Sequence, residues 1–398
     1  MAGPRVGFCL LVEVLFLSLL GSVNVAAQPA AAPRVVDLTA ADGTHLKATY
    51  FGASKAGPGV LLRHQCNRQR KVWDDLARDM AASGLHVLTL DFRGLGESEG
   101  TLFDKLSPEE IGKVFEQKFP GDVDMAFQYL VAQPGVTRET IGAGGASCGV
   151  NQAVQLARRH TEVKSLVLLS EGTDGAGREF LRRSPRLPLF LAVADDDPDP
   201  GMVEIMQWLF SLSGNPVTKF EHYPTGGHGV EMFAGHKELP GTIVAWLGST
   251  LRTPRSGMAS GATARASHES HFLELIDRPG GVHQGAQVFA EARRRDPQAV
   301  LFSEAVMNRL GYQHLQSGDT QGALEILKLN VSAYPHSPNV YDSVSDAYLA
   351  YGQKDLARQN AKKALEHLAS DTSDSQQRRQ GIHANAEEKL KQLGEAPQ

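Results

Sequence analysis

A serine flanked by glycines is the first candidate for chemistry. Residues 145–149 read Gly-Ala-Ser-Cys-Gly, which places Ser147 at the centre of a G-x-S-x-G pentapeptide. An apolar run at 140–144 precedes it and apolar residues at helical spacing follow it, so we predict that Ser147 lies at a strand-to-helix turn. Such a turn needs glycines, and the N-terminus of the following helix favours negative charge near the hydroxyl. The alternative is an ordinary glycine-rich loop.

A serine hydroxyl needs a base and an orienting carboxylate to act as a nucleophile near neutral pH. Residues 195–199 read Asp-Asp-Asp-Pro-Asp, directly after a predicted strand at 188–194. Residues 226–229 read Gly-Gly-His-Gly, after a predicted strand at 217–223. Open α/β sheets bind their ligands beyond the carboxyl ends of their strands. These loops can therefore bring an aspartate and a histidine to Ser147.

Three further histidines compete with His228 for the role of general base. The glycines on both sides of His228 favour an exposed loop tip. His222 instead lies within a predicted strand, and His236 lies within the next element. His64 is predicted to be a loop residue that supports the site rather than the base. We therefore predict that His228 is the base.

The elements that position these residues alternate between strands and helices. Mostly apolar strands separated by amphipathic helices predict a mostly parallel α/β sheet flanked by helices, with the first two strands as an antiparallel edge. The predicted strands are 35–39, 45–50, 60–62, 85–90, 140–144, 163–169, 188–194 and 217–223. The predicted helices are 73–81, 121–131, 150–157, 202–212 and 243–251.

The composition of the chain changes abruptly after the last of these helices. Residues 253–269 are rich in Ser, Gly, Ala and Arg and predict a linker. The linker separates an α/β domain at 34–252 from an all-helical domain at 270–398. Because the candidate catalytic residues all precede the linker, we expect the fragment 28–252 to be soluble and active.

The helical domain carries an internal repeat. Gly318 and Gly352 are 34 residues apart, and so are Ala323 and Ala357. A 34-residue period of helix–turn–helix units resembles tetratricopeptide (TPR) repeats. That resemblance implies a scaffold that binds a protein or peptide partner, with the last helix as a cap.

The N-terminus predicts a targeting segment. Arg5 precedes a mostly apolar run at 6–20, and small residues ending at Ala27 offer a cleavage site. We therefore predict a signal peptide at 1–27, a secreted or periplasmic protein, and no stable membrane span after cleavage. The alternative is an uncleaved membrane anchor, although the run is short and interrupted by Glu13.

Composition narrows the classes of partner and cofactor. The 398-residue chain is 41% hydrophobic and 21% charged, with a net charge of -5 and a pI of about 6.3. These values predict a packed globular protein. The sequence has no basic stripe interleaved with aromatic residues, so we expect no nucleic-acid partner. Removal of the signal peptide leaves two cysteines, which form neither a disulfide framework nor a zinc pattern. We expect no metal and no organic cofactor.

Residues 34–252 resemble the α/β-hydrolase family, close to its dienelactone-hydrolase-like and small esterase members. On that resemblance Ser147 matches the nucleophile, and the Gly-His-Gly run matches the histidine motif at His228. Residues 194–198, Ala-Asp-Asp-Asp-Pro, match the G-E-x-D-P stretch. This register puts the acid on Asp197 rather than on the aspartates at 195, 196 and 199.

The same resemblance implies an oxyanion hole. Cys66 follows the position of the family's H-G pair, with Gln65 in place of the glycine, and Cys148 follows the nucleophile. The backbone amides of these two cysteines are therefore the expected oxyanion donors. Residues 91–98 match a family turn, in which Asp91 and Arg93 are expected to form a structural pair.

The two cysteines are expected to approach each other. Amides that share one oxyanion must converge, which puts the two Cα atoms within about 4.4–6.8 Å, the range of a disulfide. In an exported chain they could form a reversible disulfide. The sequence favours the alternative of two free thiols, because sharing an oxyanion hole constrains the backbone and not the Cβ direction.

The sequence as a whole predicts an exported serine hydrolase that cleaves an ester or related acyl bond of a small-molecule substrate. The short segment at 171–187, where many lipases carry a helical lid, argues against a long-chain lipid. One alternative is a peptidase of the same fold. Another is a TPR-based binding module whose hydrolase domain is incidental.

Overall fold

The computed structural model describes residues 32–252, 266–372 and 374–394, together with Met1 and Gly3. Apart from those two residues, the predicted signal peptide lies outside the described residues, and so does most of the predicted linker. Within the described ranges, no helix is both long and apolar enough to cross a membrane.

One sheet organises residues 32–252. Its strands are β1 (Arg34–Thr39), β2 (His45–Phe51), β3 (Gly57–Arg63), β4 (His86–Leu90), β5 (Val136–Ala146), β6 (Val163–Leu169), β7 (Leu189–Ala194) and β8 (Lys219–Tyr223). The eight strands lie in the order β1-β2-β4-β3-β5-β6-β7-β8. β2 pairs antiparallel with β1 and β4, and the other neighbours are parallel. The predicted mostly parallel sheet with an antiparallel edge is confirmed.

Helices cover both faces of this sheet. They are α1 (Asp74–Ala82), α2 (Pro108–Lys113), α3 (Phe119–Val131), α4 (Cys148–Arg159), α5 (Gly175–Arg183), α6 (Met202–Leu212), α7 (Met232–Gly235) and α8 (Glu238–Arg252). The sequence does not predict α2, α5 and α7. Each of the three has at most two large apolar side chains, which are too few to define a helical period.

The buried strands divide their apolar side chains between two cores, because successive side chains of a strand point to opposite faces. Val60 and Leu62 of β3 belong to the core that includes α1 and α8, whereas Leu61 belongs to the core that includes α3, α4 and α6. Strands that are apolar on both faces, with helices on each side, account for the continuous apolar runs in the sequence.

The described residues of 266–394 form helices joined by loops, and none of them lies in a strand. The helices are α9 (His268–Ile276), α10 (Gly281–Arg295), α11 (Glu304–Gln316), α12 (Thr320–Ala333), α13 (Pro338–Ala350), α14 (Lys354–Ser370) and α15 (Gln376–Gln392). The predicted all-α region after the α/β domain is confirmed.

The 34-residue offset has a structural counterpart. Gly318 and Gly352 follow α11 and α13 with φ angles of 83° and 86°, a left-handed conformation that ends each helix. The Ala323 and Ala357 side chains are both fully buried. These equivalences are consistent with helical repeats.

The first helices of this region complete the core of the α/β domain. Phe272 and Leu273 of α9 and Phe302, just before α11, belong to one continuous apolar cluster with Trp208 and Leu209 of α6. α6 therefore lies between the sheet and the C-terminal helices.

Buried ion pairs reinforce the same contact. Arg178 of α5 binds Asp277, at the end of α9, at 2.6 Å, and donates to Gln313 Oε1 of α11 at 2.7 Å. The Arg178 and Asp277 side chains are only 3% and 4% exposed. Arg182 of α5 also binds Glu274 of α9 at 2.8 Å. Loss of one partner from a buried pair is strongly destabilising, because it leaves an uncompensated charge.

A chain that ends at residue 252 is therefore expected to be insoluble or to melt well below the full chain, contrary to the expectation from the sequence alone. It would expose the apolar side chains of α6 that face α9, and burying one such side chain contributes about 1.5–3 kcal/mol. A chain that ends at residue 374 is the control for truncation itself, because it loses α15 but keeps the contact of α9 with α6. Solubility and thermal melting by circular dichroism test this. A soluble 28–252 fragment with the melting temperature of the full chain would contradict it.

Candidate active site

Ser147 lies at a sharp turn between β5 and α4, where the sequence places it. Its φ of 49° is rare for a residue other than glycine. A Cβ on Gly145 would lie 2.1 Å from the Gly149 carbonyl oxygen, and a Cβ on Gly149 would lie 2.6 Å from the Arg63 carbonyl oxygen. Only glycine fits at these two positions. The Ser147 N–H donates to the Leu169 carbonyl oxygen at 2.9 Å, which fixes the turn to β6.

His228 and Asp197 form a hydrogen-bonded pair at the same edge of the sheet. His228 Nδ1 lies 2.9 Å from each carboxylate oxygen of Asp197. The side chains are 11% and 2% exposed, respectively. An Nδ1–H that donates to a carboxylate leaves the lone pair of the neutral ring on Nε2, the atom that a general base needs.

The loops that carry Ser147 and His228 touch each other. A Cβ on Gly229 would lie 3.2 Å from the Ala146 Cβ. Ser147 is thus brought beside the His228–Asp197 pair, but among the described residues no hydrogen bond joins Ser147 Oγ to His228 Nε2. Catalytic hydrogen bonds of this kind often tighten only when substrate binds.

The surroundings of His228 favour its protonated form. Burial opposes protonation, but the hydrogen bond and charge of Asp197 outweigh it and raise the pKa of His228 above its ordinary value. The charges of Asp199 and Glu171 act in the same direction. A base with a raised pKa loses its neutral form at a higher pH than an ordinary histidine does.

Each of the three consecutive aspartates after β7 has a different partner. Asp195 binds His222 at 2.6 Å on the outer side of β8. One carboxylate oxygen of Asp196 accepts from the N–H groups of the two glycines before His228, both at 2.8 Å. Only Asp197 reaches the His228 ring among these three. Asp197 is also the aspartate that the sequence register favours as the acid.

The other candidate histidines have structural partners. His236 Nε2 lies 2.6 Å from the Thr225 carbonyl oxygen. His64 is fully buried, with Nδ1 at 2.8 Å from the Gln65 carbonyl oxygen, while Nε2 accepts from the Phe92 N–H at 3.1 Å. Burial lowers the pKa of His64, which keeps the ring neutral. Neither histidine is placed as a base for Ser147.

The turn after β4 differs from the expectation in its pairing. Asp91 does not pair with Arg93 but accepts from the Arg70 backbone N–H at 2.5 Å and binds its guanidinium. Arg93 binds Asp122 of α3 at 2.6 Å and Asp42 at 2.8 Å. The prediction of a pair is wrong because the two side chains leave the turn toward different layers of the fold. Both nevertheless serve the structure of the turn.

Cys66 and Cys148 form a disulfide. Their Cα atoms lie 5.8 Å apart, within the range expected from a shared oxyanion hole. The alternative of two free thiols with diverging side chains is wrong, because glycine at position 149 lets the start of α4 approach the end of β3. Among the described residues, neither the Cys66 N–H nor the Cys148 N–H donates a hydrogen bond, so both are available to donate to a ligand.

The loop after β3 also contacts the histidine loop, a contact that the sequence does not predict. Gln65 is fully buried, and its Oε1 accepts from the Val230 N–H at 3.1 Å. Arg68 binds Glu231 at 2.6 Å, and Glu231 accepts from the His228 N–H at 3.3 Å. The one sequence feature that points to this role is the departure from the H-G pair at Gln65.

A second unpredicted group follows β6. Ser170 shares the φ of 49° found at Ser147, and its buried Oγ has no hydrogen-bond partner among the described residues. The next residue, Glu171, binds Arg309 of α11 at 2.8 Å. The C-terminal helices therefore reach the surroundings of His228, a contact that no local sequence pattern can reveal.

Three of these side chains could also hold a cation. The ligand atoms of Asp197, Asp199 and His228 lie within 4.8 Å of one another. A cation held there by His228 Nδ1 would replace the hydrogen bond between Nδ1 and Asp197. The observed hydrogen bonds fit the triad expected from the sequence, so the chemistry below is derived from protein groups.

The parallel sheet, the flanking helices and the strained serine turn after β5 define an α/β-hydrolase fold. No family model matches the chain. A thiohydrolase of Aspergillus aculeatus, aneE, is 27% identical over 181 residues, which cover 43% of this chain and 54% of that protein. The chain thus spans about half the length of this curated relative.

Solved structures resemble part of the chain at low identity. DcsB, solved in complex with its substrate analogue, has a TM-score of 0.46 at 13% identity over 56% of this chain and 100% of DcsB. The α/β-hydrolase GrgF from Penicillium sp. sh18 has a TM-score of 0.44 at 14% identity over 56% of this chain and 100% of GrgF. These likenesses concern the fold alone.

Proposed function

We propose that the protein is a serine hydrolase that cleaves an ester or related acyl bond, thioesters included. The observation that carries the proposal is the buried His228–Asp197 hydrogen bond beside the strained turn of Ser147. Thioesters are included because the fungal relative is a thiohydrolase.

In the proposed mechanism Ser147 Oγ attacks the acyl carbonyl while His228 Nε2 takes the hydroxyl proton. Asp197 holds the ring in the required tautomer and stabilises its positive charge. The N–H groups of Cys66 and Cys148 bind the oxyanion, and the N-terminus of α4 favours the same charge. His228 then protonates the leaving group, and water attacks the acyl-enzyme with His228 again as base.

A panel of substrates tests this function on the full chain. We expect short-chain esters or thioesters to be hydrolysed, with a burst of leaving group if the acyl-enzyme accumulates. Turnover of aminoacyl amides in addition to esters would support the peptidase alternative. No turnover in the panel and no reaction with a fluorophosphonate would contradict the proposal and favour the binding module.

The acid limb of the pH profile should report His228. Because the base must be neutral, kcat/KM is expected to fall as the pH drops through its raised pKa. Asp199→Asn removes one charge that raises this pKa, so the limb should move to lower pH. Asp195→Asn is the matched control, since that carboxylate binds His222. Profiles of kcat/KM against pH measure the shift, and an unmoved limb in Asp199→Asn would contradict the assignment.

We further propose that the protein is exported, with residues 1–27 removed as a signal peptide. The disulfide between Cys66 and Cys148 supports this, because disulfides persist in oxidising compartments. N-terminal sequencing of protein from the periplasm or medium is expected to begin at Gln28. An intact N-terminus in the membrane fraction would support the uncleaved anchor instead.

We also propose that α11–α14 are two TPR-type units that bind a protein or peptide. The shared conformations of Gly318 and Gly352 support the 34-residue unit. Tyr312 of α11 donates to Asp346 of α13 at 2.7 Å, a contact between equivalent helices of the two units. Two such units are few for a stable repeat array, and the packing of α9 on α6 accounts for their stability.

A further inference from the structure

The loop at 64–68, between β3 and α1, links the two halves of the candidate active site. On one side its Cys66 is bonded to Cys148, the first residue of α4 and the neighbour of the nucleophile. On the other side its Gln65 and Arg68 contact the histidine loop. The position of this loop therefore sets how the Ser147 turn and the His228 loop meet.

The attachments on the two sides differ greatly in strength. Arg68 and Glu231 are 45% and 38% exposed, and an ion pair with that exposure contributes little. Gln65 adds one hydrogen bond to a backbone N–H. The disulfide, in contrast, is a covalent bond that holds the two Cα atoms of the oxyanion donors 5.8 Å apart.

We propose that the Cys66–Cys148 disulfide is a positioning element of the oxyanion hole, so that turnover depends on its oxidised state. The inference rests on the proposed function. Two N–H groups stabilise an oxyanion only when both lie about 2.7–3.1 Å from the place where that oxygen will be. With the bond intact, the Cys66 amide stays at this distance from the oxygen that the Cys148 amide also binds.

The chemistry of the switch is a thiol–disulfide exchange with a dithiol. The dithiol gives two electrons and two protons, the S–S bond breaks, Cys66 and Cys148 become thiols, and the dithiol closes to its own disulfide. The loop then keeps only its weaker contacts. Because the hole binds charge that develops in the transition state, its loss is expected to lower kcat and to leave KM nearly unchanged.

The rest of the fold is expected to survive this reduction. The cysteines follow β3 and β5, which pair directly along a buried register. A Cβ on Gly149 would lie 2.6 Å from the Arg63 carbonyl oxygen, so the start of α4 packs on the end of β3 without help from sulfur. Reduction should therefore loosen the loop rather than unfold the domain.

The experiment uses the full chain with Cys9→Ser, which leaves only the two cysteines of interest. Ester turnover is measured before and after reduction with dithiothreitol and again after reoxidation, with thiols counted in denatured samples. We expect kcat to fall about tenfold or more on reduction, KM to change less than about threefold, and reoxidation to restore the rate. The Cys9→Ser chain that also carries Cys66→Ser and Cys148→Ser should match the kcat of the reduced enzyme and be insensitive to dithiothreitol.

Three results would overturn the proposal. One is an unchanged kcat after thiol counting shows complete reduction. Another is a loss of activity that follows the loss of the near-UV circular dichroism signal, which would make the disulfide a stabilising bond only. A third is full activity in the double serine variant. If the oxidised chain neither hydrolyses the panel nor reacts with a fluorophosphonate, the proposed function fails first and this inference falls with it.

Discussion

Replacing Ser147 with alanine is expected to lower ester turnover by about four to six orders of magnitude while the fold stays intact. The hydroxyl is the proposed nucleophile, and no other group at the turn can form the acyl-enzyme. Alanine keeps the Cβ that the φ of 49° already accommodates, so the turn should be retained. Steady-state kinetics with the best substrate of the panel, together with a melting curve, measure both effects.

Ser170→Ala is the matched control for this substitution. Ser170 has the same φ of 49° at the end of the neighbouring strand, and its Oγ is buried without a hydrogen-bond partner among the described residues. It measures how the loss of a hydroxyl at a strained turn changes turnover and melting temperature when that hydroxyl is not the proposed nucleophile. A variant Ser147→Ala that keeps more than about a tenth of the wild-type rate would contradict the nucleophile assignment.

Replacing Asp197 with asparagine is expected to lower kcat by about 10⁴-fold. An amide NH₂ next to His228 Nδ1 would donate to that nitrogen, which places the proton of the neutral ring on Nε2. The ring could then no longer accept the proton of Ser147. The carboxylate is only 2% exposed, so water cannot easily replace its hydrogen bond. Kinetics at a pH above the raised pKa of His228 measure this loss.

The neighbouring aspartate provides the control. Asp195→Asn makes the same chemical change two residues away, at a carboxylate that binds His222 instead. We expect its kcat to stay within a few-fold of wild type. A steep loss in Asp195→Asn with a mild one in Asp197→Asn would mean that the acid has been assigned in the wrong register.

The turn of Ser147 could be predicted from the sequence because its determinants are local. Gly145 and Gly149 are required by backbone contacts of the turn and of β3. The apolar residues before the turn form a short continuous run, and those after it recur at helical spacing. The sheet could be predicted for the same reason. Short elements such as α5 could not, because the only large apolar side chains of α5 are the adjacent Phe180 and Leu181, and two adjacent residues do not define a period.

The sequence alone predicts two independent domains, whereas the packing of α9 on α6 leads us to predict that they depend on each other. A polar, small-residue linker shows only that the chain can change direction there, and it does not show what packs across it. α6 carries the missing information, because buried residues lie on more than one of its faces, from Met202 to Leu212. A helix that is apolar on several sides is enclosed on several sides, here by the sheet and by α9.

The contacts that join the loops of the candidate site could not be predicted for a different reason. Gln65 meets the histidine loop, and Arg309 meets Glu171, across 165 and 138 residues of chain. Such contacts depend on the complete fold and leave no periodic pattern. The disulfide could be predicted only in part, because the shared oxyanion hole predicted the Cα separation but not the direction of the side chains.

The most direct test of the central claim is to locate the covalent adduct of a fluorophosphonate by peptide mass spectrometry. The full chain is incubated with the reagent until ester turnover stops and is then digested. We predict one modified peptide with the adduct on Ser147, and no adduct in Asp197→Asn after the same time of exposure. An adduct on any other serine, or complete inhibition with an unmodified Ser147, would contradict it.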